Sequence, residues 1–259
     1  MRTGRVPRGR LIAISIAAVA AVLGFWQFAA ADLDPAVLPS PVDVALSAWE
    51  MLLDGSLMAN IGISVQRVLL GWVLGCLIAI PVGILAGSSV YVRSAIDPFI
   101  HFFRFVPAIA LTSLFMLWFG IGEESKVNLI AWACAFVVVV STAAGGASVP
   151  TDKIDAARCF GANRAQVLGQ VIIPAAMPAI FTGMRLALAN AFLVVVAAEA
   201  LAARSGIGFL VWNARTYFRT DHIFVGVLCF GVLGFLADRI WKLFGSTVLQ
   251  RYLRGTGDY

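Results

Sequence analysis

The chain has 259 residues, 61% of them apolar and only 13% charged, with a formal net charge of +5 and a mean hydropathy of +0.92. A soluble domain carries about 25% charged residues, so the composition excludes a soluble globular enzyme and makes lipid the solvent for most of the chain. The positive charge does not indicate nucleic acid, because Arg and Lys gather at the ends of apolar runs and no aromatic-interleaved basic patch is present.

Residues 11–31 are uncharged and follow Arg2, Arg5, Arg8 and Arg10. Ala29-Ala30-Ala31 has the small side chains of a signal-peptide cleavage site. The apolar run, however, exceeds the roughly 7–15 residues of a secretory core, so a retained first span is expected. Residues 32–60 carry Asp32, Asp34, Asp43, Glu50 and Asp54 and no Lys or Arg. Leu38-Pro39-Ser40-Pro41 breaks the chain, and Ser40 or Pro41 opens an amphipathic helix through Val44, Leu46, Trp49, Leu52 and Leu53. This segment is expected outside the membrane.

The second apolar run, 68–92, is bounded by Arg67 and Arg93. Its Gly71-x-x-x-Gly75 and Gly83-x-x-x-Gly87 spacings suit close helix approach, and Pro81 is tolerable where neighbouring helices re-satisfy the backbone. Asp97-Pro98 reads as a cap followed by a first-turn proline. It predicts a third span over 98–119, with His101 and Arg104 in its first turns and a stop at Gly120-Ile121-Gly122. The fourth run is 127–145. A polar segment, 147–176, separates it from the fifth run, 178–202, which carries Arg185 and Glu199. A second polar connection, 203–221, leads to the sixth run, 222–244. The expected fold is all-α: one polytopic membrane domain over 1–259 with six transmembrane helices.

Six crossings put both termini on one side. That side collects Arg2, Arg5, Arg8, Arg10, Arg93, Lys153, Arg158, Arg164, Arg251 and Arg254; the other has Lys126, Arg204, Arg215 and Arg219 among many acids. The positive-inside rule makes both termini and the 147–176 loop cytoplasmic and the 32–60 segment extracytoplasmic. The four cysteines form no CxxC and the two histidines lack a metal-site context, so no metal is expected.

Within the 147–176 segment, Asp155-Ala156-Ala157 is followed after three residues by Gly161, and nine further residues lead to Val171-Ile172-Ile173-Pro174. Thr151 or Asp152 can cap a short helix, Ala156 and Ala157 keep it slim, and Gly161 ends it. A second helix then runs to about Val171, where Pro174 stops it. No GxxxxGK[ST] phosphate cradle occurs, and none of the three lysines follows a glycine, so the chain offers no ATP site of that kind.

The spacing resembles the EAA loop of binding-protein-dependent ABC importer permeases, with Asp155 in place of Glu. The resemblance extends over most of the chain and is nearest the nitrate/sulfonate/taurine-type branch. It is carried by Leu38-Pro39-Ser40-Pro41, Leu117-Trp118-Phe119-Gly120-Ile121-Gly122, Thr182-Gly183-Met184-Arg185 and Phe218-Arg219-Thr220-Asp221. It implies a permease of the cell membrane with no cofactor of its own and no enzymatic activity. Asp155, Ala156, Ala157, Gly161, Ala162 and Pro174 would couple it to the ATPase. Its partners would be a second copy of the same permease, two ATPase subunits that bind ATP and Mg, and an extracytoplasmic solute-binding protein. The solute would be a small anion or zwitterion.

Arg185 and Glu199 stand fourteen residues apart on the fifth span, about four turns and roughly 21 Å, nearly on one stripe. Ionisable residues at membrane depth usually face a cavity or a partner, so both are expected to line the solute path. Arg67 and Arg104 are expected to snorkel or pair with loops, and Asp238 to pair with Lys242 at i,i+4. The competing reading is a self-sufficient secondary transporter or an intramembrane enzyme. It would require paired charges at mid-membrane, internal repeats, or a nucleophile–base constellation, and none is visible in the sequence.

Overall fold

The computed structural model describes residues 8–248, and the regular structure among them is entirely helical. The helices are α1 Arg8–Ala31, α2 Pro41–Leu53, α3 Ser56–Ser88, α4 Val90–Phe103, α5 Ala108–Phe119 and α6 Glu123–Ala147. They continue with α7 Thr151–Cys159, α8 Arg164–Val167, a π-turn at Leu168–Ile172, α9 Ile173–Ala202, α10 Ile207–Thr216 and α11 Thr220–Val248. Five helical stretches are long and apolar enough to cross a bilayer, and the bent pair α4–α5 makes a sixth if counted as one span. Arg2, Arg5, Arg251 and Arg254, four of the cations behind the expected orientation, lie outside the described residues.

The described chain divides into two units, one of 8–59 with 210–228 and one of 60–209 with 229–248. In the first, α2 opens at Ser40-Pro41 as the sequence predicts, with Ser40 capping it in a box closed by Asp43 and Pro41 in the first turn. The buried face shares only Val44 with the predicted stripe. α2 buries Val44, Ser47 and Met51, while Leu46, Trp49, Leu52 and Leu53 are exposed. Ser47 donates to Asp221 at 2.6 Å, so the inward side combines a polar anchor with the apolar Val44 and Met51. The Trp26 indole donates to the Pro39 carbonyl at 3.0 Å and stacks on Phe224.

The second unit is built on α6 and α9. Leu129, Ile130, Cys134 and Val138 of α6 meet Ala187, Ala191, Val195 and Ala198 of α9, and Val68, Cys76 and Ala79 of α3 complete the core. The glycine spacing on α3 works as predicted. A Cβ at Gly71, Gly75, Gly83 or Gly87 would come within 2.6–2.7 Å of Ile130, the Ala131 carbonyl, Thr142 or the Ala143 carbonyl. Only hydrogen on these α-carbons lets α3 lie against α6. Between helices in lipid such packing matters, since lipid tails compete for apolar contact.

Two predicted boundaries are corrected. The third span does not start at Asp97-Pro98: Ser89 caps α4 eight residues earlier, and Pro98 lies inside the helix. Nor is it continuous to Phe119. The chain breaks after Phe103 and restarts after Pro107, with 103° between the two axes. Pro107, extended at φ −62°, ψ 128°, donates no N–H and drives the residue before it out of helical geometry. The second correction concerns Pro174, which opens α9 instead of ending a helix. The π-turn just before it, closed by the Ile173 N–H on the Leu168 carbonyl, accommodates a residue that lacks a donor.

Candidate functional site

Two sites emerge from the second unit: a helical hairpin between spans and a buried charge cluster. The hairpin starts at α7, whose N-cap is Pro150 with no side-chain cap bond, so neither Thr151 nor Asp152 plays the capping part expected. Its end is made by Gly161 at φ +86°. The Gly161 N–H bonds to the Arg158 carbonyl at 2.9 Å, and the Ala162 N–H reaches the Ala157 carbonyl at 3.0 Å. These paired bonds are a Schellman motif, which satisfies the last carbonyls and needs a left-handed residue at Gly161. Asn163 then caps α8, in a box closed by Gln166 at 2.8 and 2.9 Å.

The hairpin has a small core of its own. Val149, Val167 and Ile172 are buried, with Ile154, Ala157, Ala162, Leu168 and Val171 packed around them. Ala157 and Ala162 therefore turn inward, where their small size lets α7 lie close to α8 and the π-turn. Asp155, Ala156 and Gly161 stay exposed. Asp155 pairs with Arg158 at 3.4 Å, and both side chains are largely in solvent. Pro174 is half-buried at the head of α9, away from the hairpin tip. Sequence reasoning missed Phe160, which is 92% exposed at the tip. Its signal was a large apolar side chain directly before a helix-ending glycine in a polar segment.

The charge cluster joins α3, α6 and α9. Arg67, expected at an interface, is 3% exposed and forms two ion pairs, to Glu123 at 2.6 Å and to Glu199 at 2.8 Å. It also donates to the Ser205 carbonyl at 2.7 Å. Glu199 is fully buried; it accepts from Ser64 at 2.8 and 2.9 Å and from the Gly208 N–H at 2.8 Å. The Ser64 hydroxyl in turn takes the Ile207 N–H at 2.8 Å. Gly206, at φ +110°, lies so close that a Cβ there would overlap the Glu199 carboxyl, and one at Gly208 would sit 2.8 Å from the Glu199 Cβ. Lys126 is also buried, pairs with Glu123 at 3.2 Å and donates to the Gly122 carbonyl at 3.1 Å. Two cations against two carboxylates leave the cluster neutral. Each buried charge thus has the partner and hydrogen bonds without which burial would be prohibitive.

Arg185 and Glu199 are not brought together. Glu199 turns to α3, whereas Arg185 turns to α11 and pairs with Asp238 at 2.5 Å. Lys242 holds the other Asp238 oxygen at 3.0 Å, the predicted i,i+4 pair. Arg185 is 40% exposed beside this pair. No group of His, Cys, Asp and Glu among the described residues is placed to hold a metal ion.

Comparison with known proteins identifies the family. Residues 79–250 match the family described as binding-protein-dependent transport system inner membrane component. A probable ABC transporter permease protein of Brucella melitensis is 40% identical over 88% of this chain and 93% of its own length. The taurine transport system permease protein TauC of Escherichia coli is 37% identical over 96% and 91%. The putative aliphatic sulfonates transport permease protein SsuC of Bacillus subtilis is 36% identical over 89% and 84%. Among solved structures, the inward-facing MetNI methionine ABC transporter matches with a TM-score of 0.62 at 19% identity, covering 75% of this chain and 97% of that one. That likeness shows the fold.

Proposed function

Because this chain belongs to the family of binding-protein-dependent transport system inner membrane components, we propose a specific assembly and solute for it. The chain is a multi-pass permease subunit of an ABC importer in the cell membrane, and it is not itself an enzyme. Its reading as a secondary transporter or intramembrane enzyme is not favoured. Two copies form the path, and two separate ATPase subunits, carrying ATP and Mg, dock on the 151–163 hairpin from the cytoplasm. An extracytoplasmic binding protein delivers the solute. Both termini are cytoplasmic and α2 is extracytoplasmic.

The observation that carries the docking assignment is the hairpin itself. It is a polar element between two spans with its own small core and an exposed tip at Asp155, Ala156, Phe160 and Gly161. A loop with no partner has no need of such internal order. Asp155 and Ala156 present the contact surface, and Ala157, Ala162 and Gly161 hold its shape. Pro174 keeps the π-turn that joins the hairpin to α9. The solute is a small sulfonate-like anion or zwitterion, as the names of the taurine and aliphatic sulfonate relatives suggest. Arg185, half-exposed on α9, borders its path. Glu199 serves that path indirectly, by fixing α9 against α3 through Arg67.

The test is reconstitution. The purified chain alone should hydrolyse no ATP above background. The complex with its ATPase and binding protein in vesicles should take up taurine in an ATP-dependent way. Hydrolysis by the isolated chain, or a complex that assembles without any ATPase subunit, would remove this reading.

A further inference from the structure

The break between α4 and α5 puts a cation where a snorkelling residue would not sit. Arg104 follows the last residue of α4 and precedes Pro107 by three positions. Phe103, its neighbour, places it against α6: the Phe103 ring lies 6.1 Å from each of the Trp132 and Phe136 rings. Those two residues are about 14 and 20 Å along α6 from Glu123, at 1.5 Å per residue. α6 has 25 residues, about 37 Å, so the break lies near its middle. Arg185 stands about 21 Å along α9 from Glu199, and Glu199 and Glu123 share Arg67. The two arginines therefore lie at comparable depths, roughly 14–21 Å along the helices from one ion-pair layer.

They differ in partners. Arg185 has a carboxylate partner in Asp238, which it shares with Lys242. Arg104 is exposed, and among the described residues no carboxylate pairs with it; its guanidinium lies over the Phe105 ring at 4.7 Å. Aromatic contact does not neutralise a full charge, and an unpaired arginine at this depth is costly unless it borders water or meets an anion. We propose that Arg104 is a specificity-determining residue of the solute path, holding the anionic head of the passing solute at mid-span. This rests on the reading of the solute as an anion. Arg93, near the other end of α4, does not compete for the role, since Asp97 already pairs with it at 3.4 Å. The headgroup of an anionic lipid offers the same chemistry as a sulfonate, so the test, run first without anionic lipid, separates the two.

The full complex with Arg104→Gln or Arg104→Lys is reconstituted in phosphatidylcholine vesicles, and uptake of taurine, ethanesulfonate and nitrate is measured beside binding-protein-stimulated ATP hydrolysis. The expected result for Arg104→Gln is uptake lowered about tenfold with hydrolysis within about twofold of wild type, and recovery of most uptake in Arg104→Lys. Arg104→Cys, in a background lacking the native cysteines, should react with a membrane-impermeant methanethiosulfonate bearing a sulfonate group. Unchanged uptake in Arg104→Gln overturns the proposal alone. So does a failure of Arg104→Cys to react, or an uptake defect that appears only when phosphatidylglycerol is added, which would assign Arg104 to lipid. Wild-type complex that takes up none of the three anions removes the anion reading, and the proposal with it.

Discussion

Replacing Glu199 by Ala is the most demanding test of the buried cluster. The substitution removes a carboxylate that is 0% exposed and accepts from Arg67, Ser64 and the Gly208 N–H. Losing one partner of a buried ion pair costs about 3–5 kcal/mol, and a stranded backbone donor adds about 1–3 kcal/mol. Glu123 still faces Arg67 at 2.6 Å, so the guanidinium is not left bare and the lower end of both costs applies, about 4 kcal/mol together. For a chain of this size that is a fall of about 8–16 °C in the thermal midpoint. Glu199→Gln keeps the shape and an acceptor for Ser64, and should lose less. Pairing Glu199→Leu with Arg67→Met removes both charges, so the double variant should be more stable than the sum of the singles by about 1–3 kcal/mol. The assay is thermal unfolding of the detergent-purified complex for all four corners of the cycle. Additive effects, or a Glu199→Ala variant as stable as wild type, would refute the claim that these charges depend on one another.

Three further outcomes are expected. Gly161→Val forces a β-branched residue to φ +86°, a strain of about 1–3 kcal/mol, so vesicles should show ATP hydrolysis without matching uptake; normal uptake at normal complex yield would remove the coupling role. In a background without native cysteines, Glu50→Cys and Arg215→Cys should be labelled from outside and Arg164→Cys only from the cytoplasm; outside labelling at 164 would invert the topology. Arg185→Glu places a carboxylate beside Asp238, which Lys242 alone then balances, so taurine uptake should fall further than in Arg185→Ala; equal rates would return Arg185 to a purely structural part.

The local elements were legible because their signals are local. Ser40-Pro41 announced the start of α2, and Gly161 announced the end of α7, since each depends on φ preferences and on bonds within a few residues. The glycines of α3 were also legible, because a four-residue period shows which face must be narrow. Where the signal was ambiguous, the reading failed. Asp97-Pro98 has the form of a helix start but lies inside α4, and the neighbouring Pro107 makes the break. α2 carries enough apolar residues for two faces, and the buried one is that of Val44 and Met51, where Ser47 bonds Asp221.

The sequence by itself determined that the chain lives in lipid, where its apolar runs lie, and that a polar hairpin with a fixed turn interrupts them. These follow from composition and from spacing between near neighbours. Tertiary structure alone decided which charges meet. Arg67 finds Glu123 and Glu199 at separations of 56 and 132 residues, and Arg185 finds Asp238 at 53. No period in the sequence encodes those meetings. They depend on the rotation and register of whole helices, which the narrow α3–α6 contact and the break at Pro107 set. A charge that reads as interfacial by its position in a run is thereby either buried in a neutral cluster, as Arg67 is, or left facing the passage, as we infer for Arg104.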